Sequence, residues 1–137
     1  MNFKMPKKRI LIIEDEKDVS QPLAFRLKKY GFQVLVASDG QLGLEAIQHQ
    51  KPDLIILDLF LPHISGEEIC KTVREHDNEE IEKIPIIMLT AKRSDADRVL
   101  GKVIGANAYL TKPYDPKILL QEINHWLLKP SLNGCHG

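Results

Sequence analysis

The stretch that most constrains the fold is Lys51 to Gly66, KPDLIILDLFLPHISG. Leu54-Ile55-Ile56-Leu57 is an unbroken aliphatic run, entered through Pro52-Asp53 and closed by the carboxylate of Asp58. A half-exposed strand would alternate, so a continuous apolar run between turn residues fits a strand covered on both faces. Asp58 then stands where a central strand runs out into a loop, the edge at which open α/β sheets bind ligands and do chemistry. Leu59-Phe60-Leu61, Pro62 and Gly66 carry the chain round the following turn.

The same pattern recurs. Arg9 to Ile13 is a second buried-strand run and ends in Glu14-Asp15-Glu16; Phe32 to Ala37 reads as another, followed by a turn at Ser38-Asp39-Gly40. Pro85 to Leu89 leads into Thr90-Ala91, and the short Ala108 to Thr111 leads into Lys112-Pro113. Helical spacing fills the intervals. Asp18 to Tyr30 places Val19, Leu23, Leu27 and Tyr30 on one stripe, with Gly31 as its stop and Pro22 tolerable only in a first turn. Leu42, Leu44, Ala46 and Ile47 mark a short helix, and Glu67 to His76 carries Ile69, Cys70 and Val73 on one face. Asp95 to Ile104 is weakly amphipathic with Gly101 inside, and Pro116 to Leu128 buries Ile118, Leu119, Ile123, Trp126 and Leu127. Asp77 to Lys83 reads as a charged connection without regular structure.

Strand and helix alternating five times require a parallel sheet covered on both faces, with right-handed crossovers. The expected fold class is α/β: a doubly wound five-stranded parallel sheet with five helices; if its order is the flavodoxin-like 2-1-3-4-5, the first and third strands are neighbours across the topological switch point. Residues 1–8 are expected to be a lead-in, 9–129 the domain and 130–137 a tail.

Charge and cysteine usage narrow the function classes. Nineteen basic and nineteen acidic residues cancel, so no global field draws the chain to nucleic acid or anionic lipid. Cys70 and Cys135 lie in unrelated contexts, which favours free thiols in a reducing compartment over a disulfide. MNFKMPKKR is basic but no apolar leader core follows, and no run reaches membrane-spanning length. The expectation is a soluble cytoplasmic domain, without membrane insertion or direct nucleic-acid binding.

In a parallel sheet every strand ends on the same edge. That edge gathers Glu14, Asp15 and Asp58 with the Thr90 hydroxyl and the Lys112 ammonium. Two carboxylates about 4 Å apart repel by roughly 4 kcal/mol at the effective dielectric of a protein surface. Either a proton is retained or a cation sits there. Oxygen ligands with partial exposure suit Mg²⁺. A carboxylate nucleophile beside Mg²⁺, with a lysine and a hydroxyl for phosphoryl oxygens, is what phosphoryl transfer needs.

The combination Ile13-Glu14-Asp15-Glu16, Asp58-Leu59-Phe60-Leu61-Pro62 with Gly66, Leu89-Thr90-Ala91 and Tyr109-Leu110-Thr111-Lys112-Pro113 resembles a response-regulator receiver domain of two-component signalling. The similarity runs from about Arg9 to Leu128, and 43, 32 and 22 residues separate Asp15, Asp58, Thr90 and Lys112 in turn. The resemblance implies that Asp58 is the phosphoacceptor, charged by a histidine kinase or phosphotransfer protein and read by a downstream protein effector. It implies Mg²⁺ on Asp15, Asp58 and the Phe60 main-chain carbonyl, with Glu14 acting through water. It assigns Thr90, Ala91 and Lys112 to the phosphoryl group, and Thr90 and Tyr109 to a switch reshaping the surface of the fourth predicted helix, fifth strand and last helix. It also implies a cis Lys112-Pro113 bond, and no enzymatic turnover beyond the domain's own phosphorylation and dephosphorylation.

Three positions depart from the common pattern. The acidic pair is Glu-Asp, not Asp-Asp, and Asn107-Ala108 replaces acidic residues that support a dimer in many DNA-binding members. Phe60 and Lys92, each two residues beyond a site residue, would flank the path of attacking water. Other classes fit less well. A flavin or nucleotide binder needs an anion cradle after the first strand, where Glu14-Asp15-Glu16 would repel phosphate. A haloacid-dehalogenase-like hydrolase needs Asp at the position of Phe60. A receiver fold serving as an unphosphorylated interaction module is the alternative, and Asp58, Thr90 and Lys112 speak against it.

Overall fold

The computed structural model describes residues 6–91 and 105–128. The predicted helix at Asp95 to Ile104, Lys92 and the whole predicted tail, Cys135 included, lie outside the described residues. Five strands form one sheet: β1 (Arg9–Ile13), β2 (Gln33–Ala37), β3 (Leu54–Asp58), β4 (Ile86–Ala91) and β5 (Ala108–Lys112). Their order is β2-β1-β3-β4-β5 and all pairs are parallel. The described helices are α1 (Lys17–Lys29), α2 (Gly40–Gln50), α3 (Gly66–Arg74), α4 (Glu79–Glu82) and α5 (Pro116–Leu128). The fold is thus the doubly wound α/β class expected from the alternation.

Burial follows strand position. All five residues of β3 are buried, as its unbroken aliphatic run requires. The edge strands are more open: β5 is half-buried throughout and β2 exposes Gln33 and Val36. Pleating sends alternate residues to opposite faces. Leu11, Ile13, Ile55, Leu57, Ile86 and Met88 pack under α2 and α3. Ile10, Ile12, Leu54, Ile56, Ile87 and Leu89 pack under α1 and α5, against Leu23, Leu27, Leu119 and Ile123.

Helix ends are set by local chemistry. The Asp39 side chain accepts from Leu42 N and caps α2, and the Ser65 side chain accepts from Glu68 N and caps α3. Gly31, at φ +99, lets the chain leave α1 through the left-handed region.

Several expectations need correction. Pro22 is the sixth residue of α1, beyond the first turn; it is exposed, as is Asp18, whose carbonyl loses its helical donor and can take water instead. The buried stripe of α1 is Ser20, Leu23, Ala24 and Leu27, so Val19 is half-buried and Tyr30 exposed. In α5 Ile118 is exposed and Trp126 and Leu127 are only half-buried, because Leu119 and Ile123 carry its buried face. The charged connection is not wholly irregular: Asn78 caps the short α4 by accepting from Glu80 N, and Ile81 anchors it in the core.

Gly66 has a packing reason. A Cβ there would run into the Asp58 carbonyl oxygen and the Leu59 backbone, while Gly66 N donates to Leu59 O at 3.0 Å. The loop after β3 is therefore folded back hard against the strand end. Alanine in a helical position ordinarily stabilises by roughly 0.4–1 kcal/mol. For Gly66→Ala we expect the opposite sign, a loss of about 1–3 kcal/mol from forced backbone shift, measurable by urea unfolding.

Candidate functional site

The C-terminal ends of β1, β3 and β5 bring three side chains into one pocket. Glu14 follows β1 and extends its ladder by one rung, donating its N–H to Ala37 O at 3.0 Å. Asp58 is the last residue of β3 and pairs in register with Leu89. Lys112 is the last residue of β5 and pairs with Ala91. Its Nζ donates to Glu14 Oε1 at 2.7 Å and to Asp58 Oδ2 at 3.3 Å. These contacts join residues 98 and 54 positions apart in sequence, so only the closed sheet creates them.

Each carboxylate is also held from its own loop. Glu16 N donates to Glu14 Oε2 at 3.2 Å, and Phe60 N donates to Asp58 Oδ1 at 3.1 Å. Glu14 and Asp58 are 3% and 6% exposed, whereas Asp15 is exposed. Carboxylate oxygens of Glu14, Asp15 and Asp58 lie within 4.8 Å of one another. Burial pushes the Glu14 carboxyl above its ordinary range; the Lys112 hydrogen bond opposes this, and the charge of Asp58 adds to it. Burial works against the Lys112 ammonium, but its contacts with Glu14 and Asp58 prevail and hold its pKa above the usual lysine value.

Thr90, near the end of β4, is fully buried, and its hydroxyl has no hydrogen-bond partner among the described residues. A buried hydroxyl without a partner is costly, so it is a donor held in reserve. Ala91 beside it is exposed. By strand alternation Thr90 shares a face with Met88, and Tyr109, half-buried and paired with Met88, packs into the cluster under α2 and α3. Phe60 exposes 48% of its surface at the mouth of the loop. The Lys112–Pro113 peptide bond is cis.

Three hard oxygen donors, two of them buried and sharing one ammonium, fit a small divalent cation of the Mg²⁺ type. The donor set is anionic and half-open, and a bound cation would offset the Asp58 charge that adds to the effect of burial on the Glu14 carboxyl. Sequence reasoning did not show that Lys112 approaches Glu14 more closely than Asp58, nor that the Phe60 N–H holds Asp58. The contacts of Arg74, described below, also went unseen; a lone arginine on a helix gives no signal of its partners.

The sequence model described as the response regulator receiver domain matches residues 10–124. The chain is 40% identical over 128 residues to the sensory transduction protein RegX3 of Mycolicibacterium smegmatis, covering 93% of this chain and 54% of RegX3. It spans about half the length of the curated relatives it matches. Among solved structures, a Chloroflexus aurantiacus J-10-fl protein assigned as a response regulator superposes with a TM-score of 0.84 at 34% identity, covering 89% of this chain and 98% of that one. The BeF₃-activated receiver domain of Klebsiella pneumoniae RstA gives 0.81 at 31% identity, covering 89% of this chain and all of that one, 100%.

The Glu14 environment predicts a pH dependence. The folded state holds the Glu14 proton more tightly than the unfolded chain, whose value is the ordinary 4.5. Stability of the cation-free protein should therefore fall as pH rises through the window just above 4.5. Glu14→Gln should flatten that segment of the profile, as read by thermal unfolding in chelator at stepped pH.

Proposed function

The chain belongs to the response regulator receiver domain family, and on that premise we propose that it accepts a phosphoryl group on Asp58 from a histidine kinase or phosphotransfer protein. The observation that carries this reading is the buried meeting of Asp58, Glu14 and Lys112 at one sheet edge. An Asp58 oxygen attacks the phosphorus of a phosphohistidine in line; the O–P bond forms as the N–P bond breaks, and the imidazole leaves with the electron pair. Phe60 N–H and Lys112 fix the carboxylate beforehand through its two oxygens, which is the positioning that such a transfer depends on.

Glu14, Asp15, Asp58 and the Phe60 main-chain carbonyl are the residues that would hold Mg²⁺, Glu14 through water. When bound, Mg²⁺ neutralises the negative charge of the phosphoryl oxygens and of the carboxylates around them. Lys112 then pairs with a phosphoryl oxygen in place of the free Asp58 carboxylate. Thr90 donates its unspent hydroxyl to another, and the Ala91 N–H serves a third. Movement of Thr90 draws Tyr109 with it and reshapes the surface of β5 and α5, where a protein effector reads the state. The domain catalyses only its own phosphorylation and dephosphorylation and is not an enzyme in the turnover sense. A cytoplasmic location fits this role and the free, buried thiol of Cys70.

The direct test is incubation with acetyl phosphate and Mg²⁺, read by phosphate-affinity gel. Wild type should shift; Asp58→Asn should not, and chelation of the cation should abolish the shift. A wild-type protein that stays unmodified with every donor would favour an interaction module working without phosphorylation. Phe60 stands half-exposed beside the acceptor, where it obstructs water. Phe60→Ala should therefore shorten the lifetime of the acyl phosphate, measured by phosphate release; an unchanged rate would remove Phe60 from this role.

A further inference from the structure

At the opposite edge of the sheet, Arg74 at the end of α3 gathers four backbone and side-chain acceptors around one guanidinium. Its Nε donates to Gly105 O at 2.9 Å, and its Nη1 to Glu82 O at 2.8 Å and Ile84 O at 2.9 Å. Its Nη2 donates to Asn107 Oδ1 at 2.7 Å. Asn107 in turn grips the start of β4 twice: its N–H donates to Ile86 O at 2.8 Å, and its Oδ1 accepts from Ile86 N at 2.8 Å. Gly105 completes the set. It has φ +102, and a Cβ there would meet the Arg74 Cγ at 2.7 Å. Burial lowers the Arg74 pKa from its ordinary value, yet a guanidinium stays charged in proteins. A lysine could not reproduce this fork of donors.

The clip sits where the register of β5 is decided. β5 is an edge strand, hydrogen-bonded only to β4, and is half-buried along its length. Its side-chain pattern specifies register weakly. Ala108 and Leu110 face the α1–α5 side, and a forward slip by two residues would put the apolar Ala106 and Ala108 in their places. That same slip would carry Lys112 by about 6–7 Å along the strand, out of reach of Asp58 and Glu14. The first rung is what forbids it: Asn107 can close its double bond with Ile86 in one register, and Arg74 holds Asn107 and Gly105 in place from α3.

We propose that Arg74 and Asn107 are positioning residues for phosphoryl transfer, acting from the far edge of the sheet by locking the β5 register that places the Lys112 ammonium against Asp58. This rests on the phosphoacceptor reading above. It differs from general stabilisation because Glu14 and Asp15 follow β1 and Asp58 ends β3, whereas the acceptors of Arg74 and the strand partner of Asn107 lie within residues 82–86 and 105–107.

The experiment compares wild type, Arg74→Met, Asn107→Ala and Asn107→Asp in the 137-residue chain. Each is assayed for its maximal phosphorylation rate with acetyl phosphate and saturating Mg²⁺, and for Mg²⁺ affinity by calorimetry. Arg74→Met and Asn107→Ala should lower the maximal rate by about tenfold, as small misplacements of a reacting group do, with Mg²⁺ affinity kept within about twofold. Asn107→Asp, which retains the accepting oxygen, should keep the wild-type rate. In a Lys112→Ala background neither substitution should slow the reaction further, because residues that act through one another are not additive. Wild-type rates in the folded variants would overturn the inference, as would a parallel loss of Mg²⁺ affinity or losses that persist without Lys112. If Arg74→Met fails to fold, the two Asn107 variants decide. A wild type that takes no phosphoryl group would instead overturn the phosphoacceptor reading itself.

Discussion

The ammonium of Lys112 stands 2.7 Å from Glu14 and 3.3 Å from Asp58, two carboxylates that water barely reaches. Without that cation the strand ends of β1 and β3 would present bare like charges to each other at close range. Buried ion pairs are poor sources of stability, because desolvating both partners consumes most of what their attraction returns. Their persistence at a strand edge therefore signals use. The Asp58 carboxylate is oriented and short of water, with one oxygen on a backbone N–H and the other on an ammonium. That is the condition in which a weak nucleophile can attack an electrophilic phosphorus.

The rest of the sheet serves this arrangement. The aliphatic β3 fixes Asp58 by being packed on both faces, so this residue has no freedom except in its side chain. Gly66 lets the following loop press back on the strand end, which keeps the Phe60 N–H aimed at the carboxylate. The opposite requirement falls on β5, an edge strand whose last residue must arrive within hydrogen-bonding distance of groups on two other strands. A strand of that kind needs an anchor away from the site, and Arg74 with Asn107 supplies one. Thr90 and Tyr109 lie on the α2–α3 face of the sheet by alternation, whereas Lys112 shares the parity of Ala108 and Leu110 on the other. A phosphoryl group at the rim would thus meet Lys112 from one face and Thr90 from the other.

How much of this was legible in the sequence depends on the range of the forces involved. Strand runs and their polar end residues are local, and so the parallel sheet and the gathering of Glu14, Asp15, Asp58, Thr90 and Lys112 at one edge followed from alternation. The strand order itself is not written in the alternation and came with the flavodoxin-like assumption. Pro22 was misplaced because helix tolerance of proline depends on whether the orphaned carbonyl reaches solvent, a fact of tertiary position. The exposure of Ile118 was missed for a related reason: a periodic apolar residue can lie at the margin of a buried face. α4 escaped notice because a single turn held by one Asn cap and one buried Ile81 has no period to read. The guanidinium clip was invisible, since its four acceptors are backbone or amide oxygens from two segments, residues 82–84 and 105–107, with no side-chain pattern to mark them.

The central claim is that one particular carboxylate, Asp58, receives the phosphoryl group while its acidic neighbours do not. Borohydride reduces an acyl phosphate and leaves a free carboxylate alone, so it marks the modified residue for peptide mass spectrometry. After exposure to acetyl phosphate and Mg²⁺, the account predicts reduction of residue 58 to homoserine with Glu14 and Asp15 unaltered. Reduction at either neighbour, or at no residue in a protein that has bound the cation, would contradict it.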